Sequence, residues 1–156
     1  MIVVATEAER KIAESRWKNE SILVTGVGGL NVYKALCDVD RNEKILNFGY
    51  CGSNLLQIGS EVSVGDCRLY HPNVEYKEEA FNIGGETICL TSCDFVLKTE
   101  IKEPVVFDME LAFILAMGFR SVKSIKIVSD NLSLKQYEES TDVNCRGTVQ
   151  GWSKIR

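Results

Sequence analysis

The feature that most constrains this chain is the stretch at residues 105–131, VVFDMELAFILAMGFRSVKSIKIVSDN. It begins with an acidic pair, Asp108 and Glu110, and continues with apolar residues at helical spacing up to Gly118. Glycine is a frequent helix stop, so this spacing predicts a long apolar helix that ends there. The acidic pair therefore stands at the head of the predicted helix.

Another acidic residue closes the same stretch. The β-branched run at residues 124–128 predicts a strand, and Asp130 follows its end. Carboxylates at a helix start and just past a strand end lie where α/β folds bind their ligands. The alternative interpretation is that these are ordinary solvated acids, one of them serving as a helix N-cap.

Elsewhere the chain alternates between strand and helix patterns. Predicted strands lie at residues 2–5, 21–24, 44–48, 68–70 and 87–91, and predicted helices lie at residues 6–17, 31–36 and 132–140. This order predicts an α/β fold, a three-layer sandwich in which helices flank a mixed central β-sheet. The length of 156 residues fits a single domain spanning residues 1–156.

Two glycine-rich segments follow predicted strands, TGVGGLN at residues 25–31 and GYCGSN at residues 49–54. Glycine lets backbone N–H groups approach a ligand closely, so both segments predict turns that border a site at one edge of the sheet. The first segment is neither a Walker loop nor a GxGxxG motif, because the lysine of the one and the third glycine of the other are absent.

An acidic residue near the N-terminus allows two interpretations. Thr6 and Glu9 have the spacing of a helix capping box. In one interpretation Glu9 only caps the helix that begins there. In the other, it points from a strand-to-helix turn into a site. The spacing alone leaves both open.

Charge and hydropathy exclude several classes of partner. The net charge is -4 and no basic run occurs, which argues against binding to a nucleic-acid backbone. No apolar run approaches the length of a membrane span, and no signal peptide opens the chain. We therefore expect no nucleic acid or membrane partner and a cytoplasmic location.

The cysteine pattern predicts no metal centre. The chain has six cysteines but no CxxC pair, and its only histidine is His71. Structural zinc sites usually need paired ligands at short spacing. We therefore expect reduced, mostly buried thiols in a reducing compartment.

Six segments in this order resemble the nucleoside phosphorylase superfamily, and most closely its 5'-methylthioadenosine/S-adenosylhomocysteine nucleosidase branch. They are IVVATEAE, ILVTGVGGLNVYKAL, ILNFGYCGSNLLQIGSEVSVGD, CLTSCDFV, VVFDMELAFILAMGF and IKIVSDN. The resemblance covers residue 2 to about residue 140, in a chain that is shorter than typical members. It implies cleavage of the N-glycosidic bond of a purine nucleoside.

The resemblance also implies roles for individual residues. Asp130 matches the general acid that protonates N7 of the departing base, and Glu110 matches the carboxylate that binds the ribose hydroxyls. Met109 packs against the sugar. Glu9 matches the base that activates the attacking water, with Glu7 as the competing residue.

Further residues match the walls of the family's site. Phe95 and Val96 match the shelf for the purine ring, although Phe95 also fits a core position. The residues that match the glycine turns lining the site are Gly26, Gly49, Cys51 and Gly52.

The resemblance leaves the acceptor of the glycosyl group open. A nucleosidase uses water, and this is the favoured interpretation because no glycine loop here precedes a suitably placed arginine for phosphate. The alternatives are a phosphate-dependent phosphorylase and a degenerate, non-catalytic nucleoside-binding protein. The family implies a homo-oligomer, with a dimer favoured, and neither a metal nor an organic cofactor.

Two residues depart from the family pattern. Tyr50 stands where the second glycine segment usually has a small residue, which predicts a narrower pocket. Lys126 stands where relatives often carry arginine, on the strand before Ser129-Asp130.

Overall fold

The computed structural model describes residues 1–71 and 80–141. The strands in these residues are β1 (Ile2–Val4), β2 (Ile22–Val24), β3 (Lys44–Ser53), β4 (Glu61–Tyr70), β5 (Phe81–Asn82), β6 (Thr87–Ser92), β7 (Val105–Asp108) and β8 (Ser121–Asp130). The helices are α1 (Glu7–Arg16), α2 (Gly29–Leu36), α3 (Leu111–Ala116) and α4 (Leu134–Thr141).

The strands form one mixed sheet in the order β2-β1-β3-β7-β6-β4-β5, and β8 pairs with both β3 and β4. The pairing of β8 is parallel to β3 and antiparallel to β4. Strands β3, β8, β4, β6 and β7 therefore close on themselves, and β1 and β2 extend the sheet from β3. Closure brings the ends of β3, β7 and β8 close together.

Helices pack on both faces of the sheet, which confirms the predicted mixed sheet flanked by helices. Successive side chains of a strand point to opposite faces. Ile2 and Val4 of β1 pack in a cluster with Ala13 of α1, whereas Val3 packs in a second cluster with Val32 of α2 and residues of α3. All three β1 residues are buried, as expected for a strand covered on both sides.

The glycine segment at residues 49–54 is not the predicted turn, because β3 continues through Ser53. The reason lies in what each glycine faces. A Cβ at Gly49 would lie 2.6 Å from Glu9 Oε1, and a Cβ at Gly52 would lie 3.1 Å from Asp130 Oδ1. These glycines make room for two carboxylates beside a continuous strand.

The apolar helix after the acidic pair is also shorter than predicted. It spans six residues, Leu111–Ala116, and Gly118 follows it with a φ of +75°. The preceding residues, Val105–Asp108, form the unpredicted strand β7, which is buried throughout. A short strand buried on both faces shows no alternation, so periodicity alone does not identify it.

Candidate active site

A cleft with a cavity volume of about 70 Å³ lies where β3 and β8 end and where α1 and α3 begin. Eight of the predicted site residues line it: Glu9, Cys51, Gly52, Phe95, Val96, Met109, Glu110 and Asp130. Gly26 is not among the lining residues, but its neighbour Val27 is. The fold thus brings together residues that are up to 121 positions apart, from Glu9 to Asp130.

Glu9 fulfils both interpretations of its position. Its Oε2 accepts hydrogen bonds from the backbone N–H groups of Ala5 and Thr6, each at 2.8 Å, and Thr6 Oγ1 accepts from Glu9 N in a complete capping box. Its Oε1 accepts from Tyr50 N at 2.8 Å. Burial raises the pKa of Glu9 above its usual range, although the hydrogen bond from Tyr50 opposes this rise.

The competing acid, Glu7, lies on the protein surface. Its side chain is 62% exposed and faces Arg10 at 3.8 Å, whereas Glu9 is 5% exposed. Glu7 is absent from the cleft lining. The geometry therefore places Glu9 in the cleft and Glu7 on the surface.

Glu110 occupies the N-cap position of α3 and points across to the first glycine segment. Its Oε1 accepts from Gly28 N at 2.9 Å. Gly28 has a φ of +90°, a conformation that favours glycine. Burial and the nearby charge of Asp108 raise the pKa of Glu110 to about 7. One N–H of this glycine segment is therefore used to hold a carboxylate.

Asp130 ends β8 and is completely buried. Its Oδ2 accepts from Ser129 Oγ at 2.8 Å, and its Oδ1 accepts from Ser133 N at 3.2 Å. Burial raises the pKa of Asp130 above its usual range, since it disfavours the charged form. A carboxyl with a raised pKa keeps its proton closer to neutral pH, as a general acid requires.

The alternative that the acids at the helix head and at the strand end are solvated does not fit their burial. Asp108, Glu110 and Asp130 are between 0% and 7% exposed. Asp108 is not the N-cap of α3, a position that Glu110 occupies, but its Oδ2 accepts from Leu111 N, the first N–H of the helix, at 2.9 Å. Asp108 also pairs with Lys126, a contact that the sequence did not predict.

Aromatic side chains form one wall of the cleft. Phe95 is half-buried and meets Tyr137 of α4 edge-on, with ring centroids 5.5 Å apart. Tyr137 and Tyr50 both line the cleft, and only Tyr50 was predicted to narrow it. Sites that enclose small organic ligands typically have volumes of about 300–1,000 Å³. The cleft beside these aromatic rings is therefore small for such a site.

Three further expectations concern metal ligands, cysteine thiols and membrane-spanning helices. Residues 1–71 and 80–141 contain no group of three His, Cys, Asp or Glu side chains arranged to hold a metal ion. The five cysteines in these ranges are free thiols, and Cys145 lies outside them. Within the same ranges, none of the helices has both the length and the apolar character of a membrane span.

Comparison with known proteins gives matches at the level of structure. No family model and no curated protein sequence matches the chain. A variant of an MTAN from Chlamydia trachomatis bound to MTA has a TM-score of 0.73 and 13% identity, over 90% of this chain and 87% of that chain. An MTA/SAH nucleosidase from Colwellia psychrerythraea in complex with adenine has a TM-score of 0.71 and 18% identity, over 90% and 86%.

A third solved structure shares the same architecture. Futalosine hydrolase of Helicobacter pylori matches with a TM-score of 0.67 and 14% identity, over 90% of this chain and 89% of that chain. At sequence identities this low, the structural similarity shows a common fold and does not identify a substrate. The mixed sheet, its flanking helices and these likenesses together show that the chain has the nucleoside phosphorylase-like fold.

Proposed function

We propose that this protein is a purine nucleosidase, which hydrolyses the N-glycosidic bond of a nucleoside such as 5'-methylthioadenosine or S-adenosylhomocysteine. The observation that carries this proposal is the convergence of Glu9, Glu110 and Asp130 on one cleft beside an aromatic wall. The three carboxylates come from α1, the start of α3 and the end of β8. The similar structures crystallised with MTA and with adenine support a purine ligand.

The base end of the reaction requires an acid. In the proposed mechanism Asp130 holds a proton, because burial disfavours its ionised form, and gives that proton to N7 of the purine. The C–N glycosidic bond then breaks with both of its electrons leaving on the base. The ring of Phe95 provides a surface against which the purine stacks.

The sugar end requires negative charge and a water molecule. As the glycosidic bond breaks, positive charge develops on the ribose ring, and ionised Glu110 stabilises it while binding the hydroxyl groups. Water attacks C1' of the ribose, and Glu9 accepts the proton that the water loses. The products are the free base and the free sugar, and no phosphate is consumed.

The charge of the cleft favours water over phosphate. Five carboxyl residues line it, and no lysine or arginine is found among the described lining residues: the acids are Glu9, Asp94, Asp108, Glu110 and Asp130. A phosphate dianion requires cationic or backbone N–H donors and is repelled by nearby carboxylates. This observation supports the nucleosidase over the phosphorylase.

The proposal is tested by measuring base release chromatographically. The purified protein is incubated with methylthioadenosine, adenosylhomocysteine, adenosine, inosine and guanosine, each with and without phosphate. We expect free base from at least one nucleoside in the absence of phosphate. Release that depends on phosphate would establish the phosphorylase, and binding without release from a folded sample would favour the degenerate binding protein.

The role of Glu9 gives a prediction with a matched control. Glu9→Gln is expected to lower kcat by about 100-fold, because general-base catalysis typically contributes 10²–10⁴-fold. Glu7→Gln, two residues away and exposed, is expected to leave kcat unchanged. Steady-state kinetics on the nucleoside identified above measure both variants. Equal losses in the two variants, or a loss only in Glu7→Gln, would contradict the assignment of Glu9.

A further inference from the structure

A buried lysine lies beneath the cleft, on the same strand that ends at Asp130. Lys126 Nζ lies 2.7 Å from Asp108 Oδ2, and the two side chains are 1% and 0% exposed. Desolvation disfavours a buried ion pair, and the mutual attraction of the two charges offsets this cost only with good geometry and further hydrogen bonds. Lys126 is absent from the lining of the cleft, so it acts on the site through its charge and through the residues that it contacts.

Asp108 is the residue through which Lys126 reaches the site. Its Oδ1 accepts from Thr91 Oγ1 at 2.5 Å, and its Oδ2 accepts from Leu111 N at 2.9 Å as well as from Lys126. Thr91 Oγ1 in turn accepts from Ala112 N at 3.0 Å. Asp108 thus connects β6, β8 and the first turn of α3.

Glu110 depends on the turn that Asp108 fixes. It stands two residues after Asp108, at the N-cap of α3, and its own side chain makes no capping hydrogen bond. Its Oε1 is held by Gly28 N at 2.9 Å, from a different part of the chain. A shift of the turn would move the Glu110 carboxylate relative to Gly28 and to the cleft.

We propose that Lys126 is a positioning residue, which holds Asp108 and thereby fixes the turn that directs Glu110 into the cleft. This inference rests on the proposed role of Glu110 in binding ribose. Lysine suits the position because its ammonium is a compact point charge, and the pair needs only one short contact.

The same lysine is the buried cation among several acidic groups. Titratable groups from five neighbouring elements interact with it: Glu9 of α1, Cys51 of β3, Cys89 of β6, Asp108 of β7 and Glu110 at the start of α3. Burial is the largest single effect and would lower the pKa of Lys126, but the surrounding acidic groups, Asp108 foremost, and the hydrogen bond to Asp108 together outweigh burial and raise the pKa. Lys126 therefore remains charged, and its charge opposes the rise in the pKa of Glu110.

The proposal is tested with Lys126→Met, and Lys123→Met serves as the control because Lys123 is exposed on the same strand. Carbon-13 labelling of the glutamate side chains allows the titration of Glu110 to be followed by NMR, with Glu110→Gln to assign its signal. In Lys126→Met we expect Glu110 to titrate about one pH unit or more above the wild type, because an attractive charge is lost. We also expect KM for the nucleoside to rise about tenfold or more.

A second pair of variants decides the question if Lys126→Met does not fold. Asp108→Asn removes the charge that Lys126 neutralises, and Asp108→Asn with Lys126→Met removes both charges. Glu110 is expected to titrate at higher pH in the double variant than in Asp108→Asn alone. The proposal is overturned if Glu110 titrates identically in the wild type and in Lys126→Met. If Lys126→Met does not fold, an identical titration in Asp108→Asn and in the double variant overturns it.

The NMR titration separates this inference from the proposed function, because it requires no catalysis. A wild-type protein that releases no base would remove the proposed function, while the titration would still show whether Lys126 acts on Glu110. Unchanged KM in Lys126→Met, with normal turnover in the wild type, would overturn the positioning role even if the titration shifts.

Discussion

Replacement of Asp130 with asparagine is expected to lower kcat by about 10³-fold while the protein stays folded. Asparagine has no acidic proton to give to the base, and general-acid catalysis typically contributes 10²–10⁴-fold. The amide preserves the local hydrogen bonds, because its oxygen can accept from Ser133 N and its NH₂ can donate to Ser129 Oγ. In that arrangement the single hydroxyl proton of Ser129 can be donated to the carbonyl of Cys51, which lies 3.1 Å away.

The kinetics of Asp130→Asn are compared with those of a control variant at the protein surface. Asp38→Asn changes an exposed aspartate after α2 and is expected to keep wild-type kcat. Thermal unfolding of both variants should remain close to the wild type. Near-normal turnover by folded Asp130→Asn would remove Asp130 from the role of general acid and leave the departure of the base without a proton donor.

Replacement of Glu110 with glutamine is expected to stabilise the fold and to weaken nucleoside binding. The pKa of Glu110 is raised from 4.5 to about 7, so the folded protein holds this proton more tightly than the unfolded chain does. Stability from this group is complete below pH 4.5 and is lost as pH rises to about 7. The loss is on the order of 3 kcal/mol, since each pKa unit corresponds to about 1.36 kcal/mol.

Glutamine avoids this loss because it cannot ionise, while its carbonyl oxygen can still accept from Gly28 N. At pH 8 we expect Glu110→Gln to be more stable than the wild type by roughly 1–3 kcal/mol, with little difference at pH 5. Nucleoside affinity should fall roughly 10- to 100-fold, because hydrogen bonds to a charged group contribute about 1.5–3 kcal/mol.

Urea unfolding at pH 5 and pH 8, together with calorimetric nucleoside binding, measures both effects of Glu110→Gln. Glu43→Gln, at an exposed position just before β3, serves as the control and should change neither quantity. A variant that is less stable than the wild type at pH 8 would contradict the cost assigned to the buried charge. Unchanged affinity would remove Glu110 from the ribose site.

Local sequence was sufficient to predict the structure where all of the interacting residues are close together in the chain. The capping box of Thr6 and Glu9 was predicted from spacing and is complete in the structure. The strand ending near Asp130 was predicted from its β-branched run, although it extends over Ser121–Asp130. In each case, the residues that decide the conformation are neighbours, so propensity and spacing carry the information.

Hydrophobic periodicity did not identify a strand that is buried on both faces, because such a strand has no alternation of apolar and polar residues. Strand β7 is buried on both faces, so it shows no alternation and was not predicted. The glycines of β3 were read as a turn because glycine usually marks one. The structure shows instead that Gly49 and Gly52 leave space for Glu9 and Asp130, which approach from elsewhere in the chain.

The sequence by itself determined most of the strands and helices, the capping box of Thr6 and Glu9, and the set of carboxylates that the family resemblance singled out. Only the tertiary structure decided which acids share a cleft, that Glu9 rather than Glu7 enters it, and that Lys126 pairs with Asp108. The same holds for Tyr137 of α4, which lines the cleft. The physical reason is that burial and charge pairing depend on contacts between residues far apart in the chain, and no local pattern records them.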